Sequence, residues 1–208
     1  MPLDKTRVEL ISRAVGPWQT NSYVLVCPRT RRSVLIDPAS EPPTLLEMLE
    51  NSEPVAILLT HAHVDHIGAL DEMRAKLKAP VMAHAAARAV HADRWLADGD
   101  LVKVGEHALR VYHTPGHTED MLCFAVVADA RVIVGDTIFE GGPGKTWTPK
   151  DFQTTLRNLR DVVLAWPDET LCFPGHGSHF RLGDRRRAIE AFLAKDHGDF
   201  AGDATWDM

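Results

Sequence analysis

Short apolar runs separated by turn residues dominate the first sixty residues. Runs bounded by Gly, Pro and Asp are typical of strands, whereas apolar positions three or four apart behind a proline indicate a helix. The pattern therefore predicts three strands, a helix and a fourth strand: 7–12, 22–27, 33–36, 43–50 and 55–59. The run over 55–59 is continuously apolar, as expected of a strand buried on both faces.

The rest of the chain mixes strands and helices in the same way. In its best amphipathic segment Phe152, Leu156 and Leu159 recur every three or four residues. The predicted helices are 69–77, 84–96, 150–165 and 184–195, and the predicted strands are 80–83, 108–112, 121–127, 131–134 and 170–173. Residues 197–207 are poor in apolar side chains, and no element is predicted there. This mixed order indicates a sheet-rich core with helices outside.

Composition indicates one folded domain spanning residues 1–208. Hydrophobic residues make up 45% and charged residues 25%, which is typical of globular proteins rather than disordered chains. The formal net charge is −6, and the basic cluster 185–187 lies in a helical pattern that we interpret as a solvated face. A chain without a basic face lacks the charge pattern that binds a phosphate backbone, so we expect no nucleic-acid partner.

Cysteine usage and hydropathy bear on the cellular location. Cys27, Cys123 and Cys172 are odd in number and lie in apolar strand-like runs, which predicts buried free thiols rather than disulfides. Residues 1–12 are charged throughout and contain no apolar signal core, and no run approaches the length of a membrane span. We therefore expect a cytoplasmic protein with no membrane partner.

A dense group of metal-ligating side chains follows the predicted strand 55–59. His61, His63, Asp65 and His66 fall within six residues. Imidazole nitrogens and carboxylate oxygens suit Zn²⁺, and also Fe or Mn. Because a loop at a strand end turns its side chains in different directions, one such segment can serve two metal ions. The alternative is a chance cluster of polar surface residues.

Three further candidate ligands each follow a predicted strand and have glycine beside them. They are His117, Asp136 and His176. Small neighbours let backbone and solvent approach an ion closely. A lone aspartate after a strand is usually a helix cap or a turn residue, but in combination with the first group these residues predict a metal site of five histidines and two aspartates.

The order H-x-H-x-D-H, a single His, Gly-Asp and Gly-His resembles the metallo-β-lactamase superfamily over roughly residues 7–180. The resemblance implies an α/β (α+β) fold, a four-layer αβ/βα sandwich with two mixed sheets packed face to face and helices outside. It also implies two divalent metal ions. The implied ligands are His61, His63 and His117 for the first ion and Asp65, His66 and His176 for the second, with Asp136 as the bridge.

Asp136 narrows the resemblance within the superfamily. The antibiotic-hydrolysing branch typically has Cys or Ser at this position, whereas a bridging carboxylate is similar to glyoxalase II, the lactonases and the persulfide dioxygenases. The stretch 135–146 looks most like glyoxalase II-type proteins, the hydroxyacylglutathione hydrolases. Only 32 residues follow His176, too few for the helical domain that helps glyoxalase II to hold glutathione. The chain therefore resembles the short, single-domain glyoxalase II-like proteins.

This resemblance implies a binuclear metallohydrolase, a thioesterase that acts on a small-molecule substrate. Two cations sharing a water would hold it as hydroxide at neutral pH, and the hydroxide would attack a thioester or ester carbonyl. One metal would stabilise the oxyanion, Asp65 would orient the nucleophile, and Asp136 would hold both ions. Zinc is the favoured metal, with iron or manganese as alternatives, and the chain is expected to be a monomer or homodimer.

Residues near the predicted ligands give weaker signals. Lys145 lies in a Gly-rich loop nine residues after Asp136, and is either a contact for a substrate carboxylate or a solvated lysine. Trp147 is either a pocket wall or a core residue. His113, four residues before His117, either donates a hydrogen bond close to the ligands or has a structural role.

Other activities fit the same motifs. The persulfide dioxygenases have a similar fold but use one iron, which here would be held by His61, His117 and Asp136. Against this alternative, the Arg-Thr-Asp run of that branch is replaced by Lys-Thr-Trp at 145–147. A lactonase or β-lactamase would use the same metals and hydroxide. A nuclease is disfavoured by the short, acidic chain. A non-catalytic metal-binding module is the least favoured alternative, because the ligand set is intact.

Overall fold

Two six-stranded mixed sheets form the centre of the computed structural model, which describes residues 7–208. The first sheet contains β1 (Glu9–Val15), β2 (Thr20–Val26), β3 (Arg32–Ile36), β4 (Glu53–Leu58), β5 (Val81–His84) and β6 (Arg94–Leu96). The second contains β7 (Leu101–Val104), β8 (His107–His113), β9 (Leu122–Val126), β10 (Arg131–Gly135), β11 (Leu171–Pro174) and β12 (Phe180–Arg181). In both sheets the strands lie side by side in chain order. The pairs from β3 to β6 and the pair β10–β11 are parallel.

The helices are α1 (Pro42–Met48), α2 (Val64–Ile67), α3 (Leu70–Leu77), α4 (Pro149–Asp161) and α5 (Leu182–Leu193), and a 3₁₀ turn covers Val163–Ala165. The start of α4 follows from its sequence, because the Thr148 side chain accepts a hydrogen bond from the Asp151 amide and Pro149 opens the first turn. Within residues 7–208, no helix combines the length and the apolar character needed to cross a membrane.

Alternate residues of the first sheet face two different cores. Along β2, Tyr23 and Leu25 pack in the core that also contains Phe124 of the second sheet. Val24 and Val26 instead pack in a core with residues of α1 and α3, Leu45 and Met73 among them. Both faces of the strand are therefore buried, which explains the continuous apolar run in its sequence.

The second sheet is buried on both faces in the same way. Ile133 of β10 contributes to the core between the sheets, whereas Val134 packs in a third core with Phe152 of α4 and Phe192 of α5. The order of layers is thus helices, sheet, sheet, helices. This arrangement confirms the predicted α/β sandwich, and the three predicted free cysteines are buried and unpaired.

The predicted elements are confirmed with one exception, the helix over 84–96, which is wrong. The chain there turns through Ala87, whose amide donates to the carbonyl of His84, and returns as β6, which pairs in parallel with β5. Alanine has the highest intrinsic helix propensity, but propensity is a weak determinant, and burial of Val90 together with the added strand pair overrides it. The short elements α2, β6, β7 and β12 were not predicted.

Candidate metal centre

The seven predicted ligands come together at the ends of strands. His61 and His63 follow β4, Asp65 and His66 lie on α2, and His117 lies between β8 and β9. Asp136 and His176 follow β10 and β11, which are parallel neighbours, so their carboxyl ends meet. Potential ligand atoms form three overlapping groups: His61, His63 and His117; His61, His66 and Asp136; Asp65, His66 and His176.

The first group is built from three imidazoles in close contact. His63 Nδ1 lies 3.1 Å from His61 Nε2 and 3.0 Å from His117 Nε2. His61 is fully buried, whereas His63 and His117 are only partly covered. Three nitrogens therefore converge on one point near the protein surface.

The third group contains Asp65, His66 and His176. Asp65 Oδ2 lies 3.1 Å from His176 Nε2 and 3.6 Å from His66 Nε2. Asp136 lies between the groups: its Oδ1 is 3.5 Å from His66 Nε2, and its Oδ2 is 3.6 Å from His117 Nε2. The predicted bridging carboxylate is thus within reach of both groups.

Main-chain carbonyls fix the tautomers of two of these histidines. His117 Nδ1 donates to the carbonyl of Lys145 at 2.8 Å, and His176 Nδ1 donates to that of Trp18 at 3.2 Å. A carbonyl oxygen only accepts, so in the neutral ring the proton is on Nδ1. The lone pair of each Nε2 therefore points into the cluster.

Asp37 fixes imidazole tautomers in the first half of the chain. It is a buried carboxylate that the sequence interpretation missed. It accepts from the Thr60 amide at 2.7 Å, the Thr60 hydroxyl at 2.6 Å and His66 Nδ1 at 2.9 Å. Because Thr60 gives its proton to Asp37, its oxygen accepts from His61 Nδ1 at 3.1 Å. Asp37 thus orients His66 directly and His61 through Thr60.

The cluster contains buried polar atoms that a cation would satisfy. Among the described residues, His66 Nε2 and Asp136 Oδ1 are buried without a hydrogen-bond partner. The single proton that His63 Nδ1 can carry would serve only one of its two nitrogen neighbours. Nitrogens around a tetrahedral Zn²⁺ lie about 3.3 Å apart, close to these contacts. The donor set therefore fits divalent metal ions.

Burial and neighbouring charges set the protonation of the imidazoles. Burial, with the nearby rings of His66 and His117, holds the pKa of His61 well below its usual range. Burial also lowers the pKa of His66, but the hydrogen bond and charge of Asp37 outweigh it and raise that pKa to about 9. A proton and a metal ion compete for the same Nε2 lone pair, so cation binding there would release the proton.

Two glycines leave room for the cluster. A Cβ atom on Gly175 would lie 2.1 Å from Asp136 Oδ1 and 2.6 Å from His66 Cε1. A Cβ atom on Gly144 would lie 1.9 Å from the carbonyl oxygen of Asp136 and 3.0 Å from His117 Cβ. Any side chain at either position would displace a predicted ligand.

Two open recesses adjoin the cluster. A groove of about 520 Å³ runs past His63 and His117 to Trp147, which is 62% exposed and so is a wall residue rather than a core residue. A second recess of about 410 Å³ contains His117, Asp136 and Lys145 in its lining. Lys145 therefore lies at the mouth of the cluster, where its ammonium group contacts Asp203 at 3.1 Å.

His113 lies apart from the predicted ligands. Its Nε2 contacts the Glu119 carbonyl at 2.8 Å, and its ring stacks on His84 at 4.0 Å between centroids. The neighbouring Asp120 accepts from the Ala62 amide at 2.8 Å and so supports the loop between His61 and His63. Asp120, like Asp37, was missed because an isolated aspartate carries no sequence signal of its partner.

Comparison with solved structures supports the same architecture. A crystal structure of BLEG-1 B3 metallo-beta-lactamase superposes with a TM-score of 0.81 at 28% identity, covering 90% of this chain and 100% of that one. A di-iron-bound form of TTHA1623 has a TM-score of 0.71 at 31% identity, covering 85% and 97%.

Sequence relatives and a family model agree with that likeness. A probable metallo-hydrolase of Bacillus subtilis is 32% identical over 191 residues, 78% of this chain and 87% of that protein. A hydroxyacylglutathione hydrolase of Nitrosococcus oceani is 34% identical over 169 residues, 76% of this chain but 64% of that protein. The model of the metallo-beta-lactamase superfamily matches residues 15–176. The chain therefore belongs to the metallo-β-lactamase superfamily.

Proposed function

We propose that this protein is a binuclear metallohydrolase that cleaves a thioester or ester of a small-molecule substrate. Its similarity to hydroxyacylglutathione hydrolases supports thioester chemistry, and its similarity to a protein with a di-iron-bound form supports two ions. The chain spans less than two thirds of that hydroxyacylglutathione hydrolase. We therefore propose cleavage of a thioester bond without assigning glutathione as part of the substrate.

The observation that carries the proposal is the orientation of four imidazoles. Each commits Nδ1–H to an oxygen outside the cluster and presents Nε2 to its centre: His61, His66, His117 and His176. Such fixed lone pairs, with two carboxylates beside them, form a preorganised set of donors for cations. A surface cluster without function would have no reason to hold all four rings in this way.

The proposed assignment follows the geometric groups. The residues proposed for the first ion are His61, His63 and His117, those for the second are Asp65, His66 and His176, and Asp136 is shared. Imidazole and carboxylate ligands favour zinc and also accept iron or manganese. When bound, the two ions would supply hydroxide at neutral pH and polarise the scissile carbonyl.

The protein side chains would position the substrate and the attacking water. His61 and His66 form a closed, buried floor, whereas His176 is 31% exposed and Asp65 is 19% exposed. The reacting carbonyl would enter from the open side of the cluster, through the recess that contains His117, Asp136 and Lys145. Asp65 would accept a hydrogen bond from the water and orient it, and Asp136 would balance the positive charge of the site.

The first experiment is elemental analysis of the protein purified without added metal, followed by a thioester and lactone panel. We expect about two ions per chain, thioester turnover that stops after chelation, and recovery on adding Zn²⁺. One iron per chain with oxygen uptake on a persulfide would instead favour the dioxygenase alternative. Two ions with lactone turnover but no thioester turnover would favour the lactonase alternative.

A further inference from the structure

The segment 196–208, for which the sequence predicts no element, lies against the loop 139–147 that follows Asp136. Thr146 donates its amide to the carbonyl of Gly202 at 3.0 Å. Trp206 donates its amide to the Gly141 carbonyl at 3.1 Å and its indole N–H to the Glu140 carbonyl at 2.9 Å. These bonds link the segment to a loop that forms part of the site.

Aromatic side chains anchor the same segment to the helical layer. The ring centroid of Phe200 lies 4.8 Å from that of Phe152 on α4, and that of Trp206 lies 5.5 Å from that of Phe192 on α5. Trp206 is 7% exposed. The segment is therefore held on both sides, and the residues between its anchors have defined positions.

One of those residues, Asp203, reaches the mouth of the candidate metal centre. It lines the recess that also contains His117, Asp136 and Lys145. Its Oδ2 lies 3.1 Å from Lys145 Nζ. The main-chain carbonyl of the same lysine accepts the hydrogen bond of His117 Nδ1, so Lys145 directly contacts a predicted ligand.

We propose that Asp203 is a specificity-determining residue, which pairs with Lys145 and sets how strongly the mouth of the site binds a carboxylate-bearing substrate. The inference rests on the proposed hydrolase function and deepens it. A substrate carboxylate and the carboxylate of Asp203 compete for one ammonium group. With the pair formed, the mouth favours neutral thioesters over anionic ones.

The contacts of Lys145 make this competition possible. The side chain of Asp203 is 78% exposed and that of Lys145 is 42% exposed, so the pair is solvated and readily exchanged. The ring of Trp147 lies 5.1 Å from Lys145 Nζ and keeps the ammonium group beside the recess when Asp203 is displaced. Loss of Asp203 would leave Lys145 in place and available to an anion.

The test compares two thioesters of similar shape, neutral phenyl thioacetate and anionic S-acetyl-4-mercaptobenzoate. For Asp203→Asn, kcat/KM for the anionic thioester divided by kcat/KM for the neutral thioester should rise about two- to fivefold, as expected for loss of a solvated ion pair. The rise should come from a lower KM for the anionic thioester. Asp199→Asn is the matched control, because Asp199 is an exposed acid of the same segment outside the lining of that recess. Its ratio should stay at the wild-type value.

A double-mutant cycle separates competition for Lys145 from a structural role of the segment. Lys145→Met should lower the anionic-to-neutral ratio, and adding Asp203→Asn to it should then change nothing. A rise of the ratio in the Lys145→Met background, or an equal loss of kcat/KM for both thioesters in Asp203→Asn, would overturn the proposal.

Binding without turnover keeps this inference separate from the proposed function. The thioethers 4-(methylthio)benzoate and thioanisole can be titrated calorimetrically into the purified protein and each variant. Tighter binding of the benzoate alone to Asp203→Asn supports the inference even if neither thioester is cleaved, in which case the thioesterase proposal fails by itself. Equal binding to wild type and Asp203→Asn overturns the inference even if both thioesters are cleaved.

Discussion

The two sheets contribute to the candidate metal centre in different ways. The first half of the chain supplies four of the seven predicted ligands from the single stretch 61–66, and the second half supplies three from separate loops. Two rings of the first half, His61 and His66, are oriented by one buried side chain, Asp37. Those of the second half are oriented by main-chain carbonyls, at Lys145 and Trp18. The first arrangement therefore depends on one residue, whereas the second tolerates side-chain changes at its supports.

Removing the carboxylate shared by both halves should have the largest effect. Asp136→Ala is expected to lower metal content and thioester turnover by orders of magnitude, because Asp136 lies within 3.6 Å of His66 Nε2 and His117 Nε2. Elemental analysis and initial rates measure both quantities. His91→Ala is the control, since His91 is exposed. Two ions and near-normal turnover in Asp136→Ala would show that the site is assigned wrongly.

Changing Asp37 tests the dependence of the first half on one residue. The Asp37 carboxylate accepts three hydrogen bonds, from Thr60 and His66. In Asp37→Asn the amide N–H groups would face these same donors, so at least one hydrogen bond would be lost. We expect metal affinity to fall about 10- to 100-fold and the free energy of unfolding to fall by about 1–3 kcal/mol. Zinc titration and urea unfolding measure these changes. The comparison between the halves breaks down if exposed Asp71→Asn has the same effect.

The tolerance of the second half can be tested at Lys145. Lys145→Met keeps the main-chain carbonyl that accepts from His117, so metal content should equal that of the wild type. Elemental analysis of both proteins after identical purification provides the measurement. A variant that loses one ion would mean that the Lys145 side chain, rather than its backbone, supports His117.

The smallest effect is expected at His113. Its ring contacts Glu119 and His84 rather than a predicted ligand, so His113→Ala should keep both ions. The lost hydrogen bond should cost about 1 kcal/mol of unfolding free energy. A complete loss of metal in this variant would show that a ligand has been assigned wrongly.

The sequence predicted those parts of the site whose signal is local. The apolar run 55–59 and the dense motif after it identify a buried strand that leads into a ligand loop, and β4 and His61 lie as expected. The three later predicted ligands, which the structure brings into the same cluster, were identified because each follows a strand and adjoins a glycine. In these cases the residue type and its neighbours contain enough information.

The parts that failed depend on partners distant in sequence. Residues 84–96 read as a helix because their alanines favour one locally, but β5 offers an edge for pairing that no local pattern reveals. Asp37 reads as the end of a strand, although its partners Thr60 and His66 lie more than 20 residues away. Asp203 faces Lys145 only because Trp206 and Phe200 dock on the helices.

The lack of a side chain at Gly175 restricts how this site can change in evolution. Even a methyl group there would occupy space held by Asp136 and His66. At Gly141, in contrast, an added Cβ atom meets nothing within 4 Å. A randomised library selected for metal retention should therefore return glycine at 175 and a broad spectrum of residues at 141. Substitutions that adapt this scaffold to new substrates should thus be tolerated along the rim of the site and excluded beneath the predicted ligands.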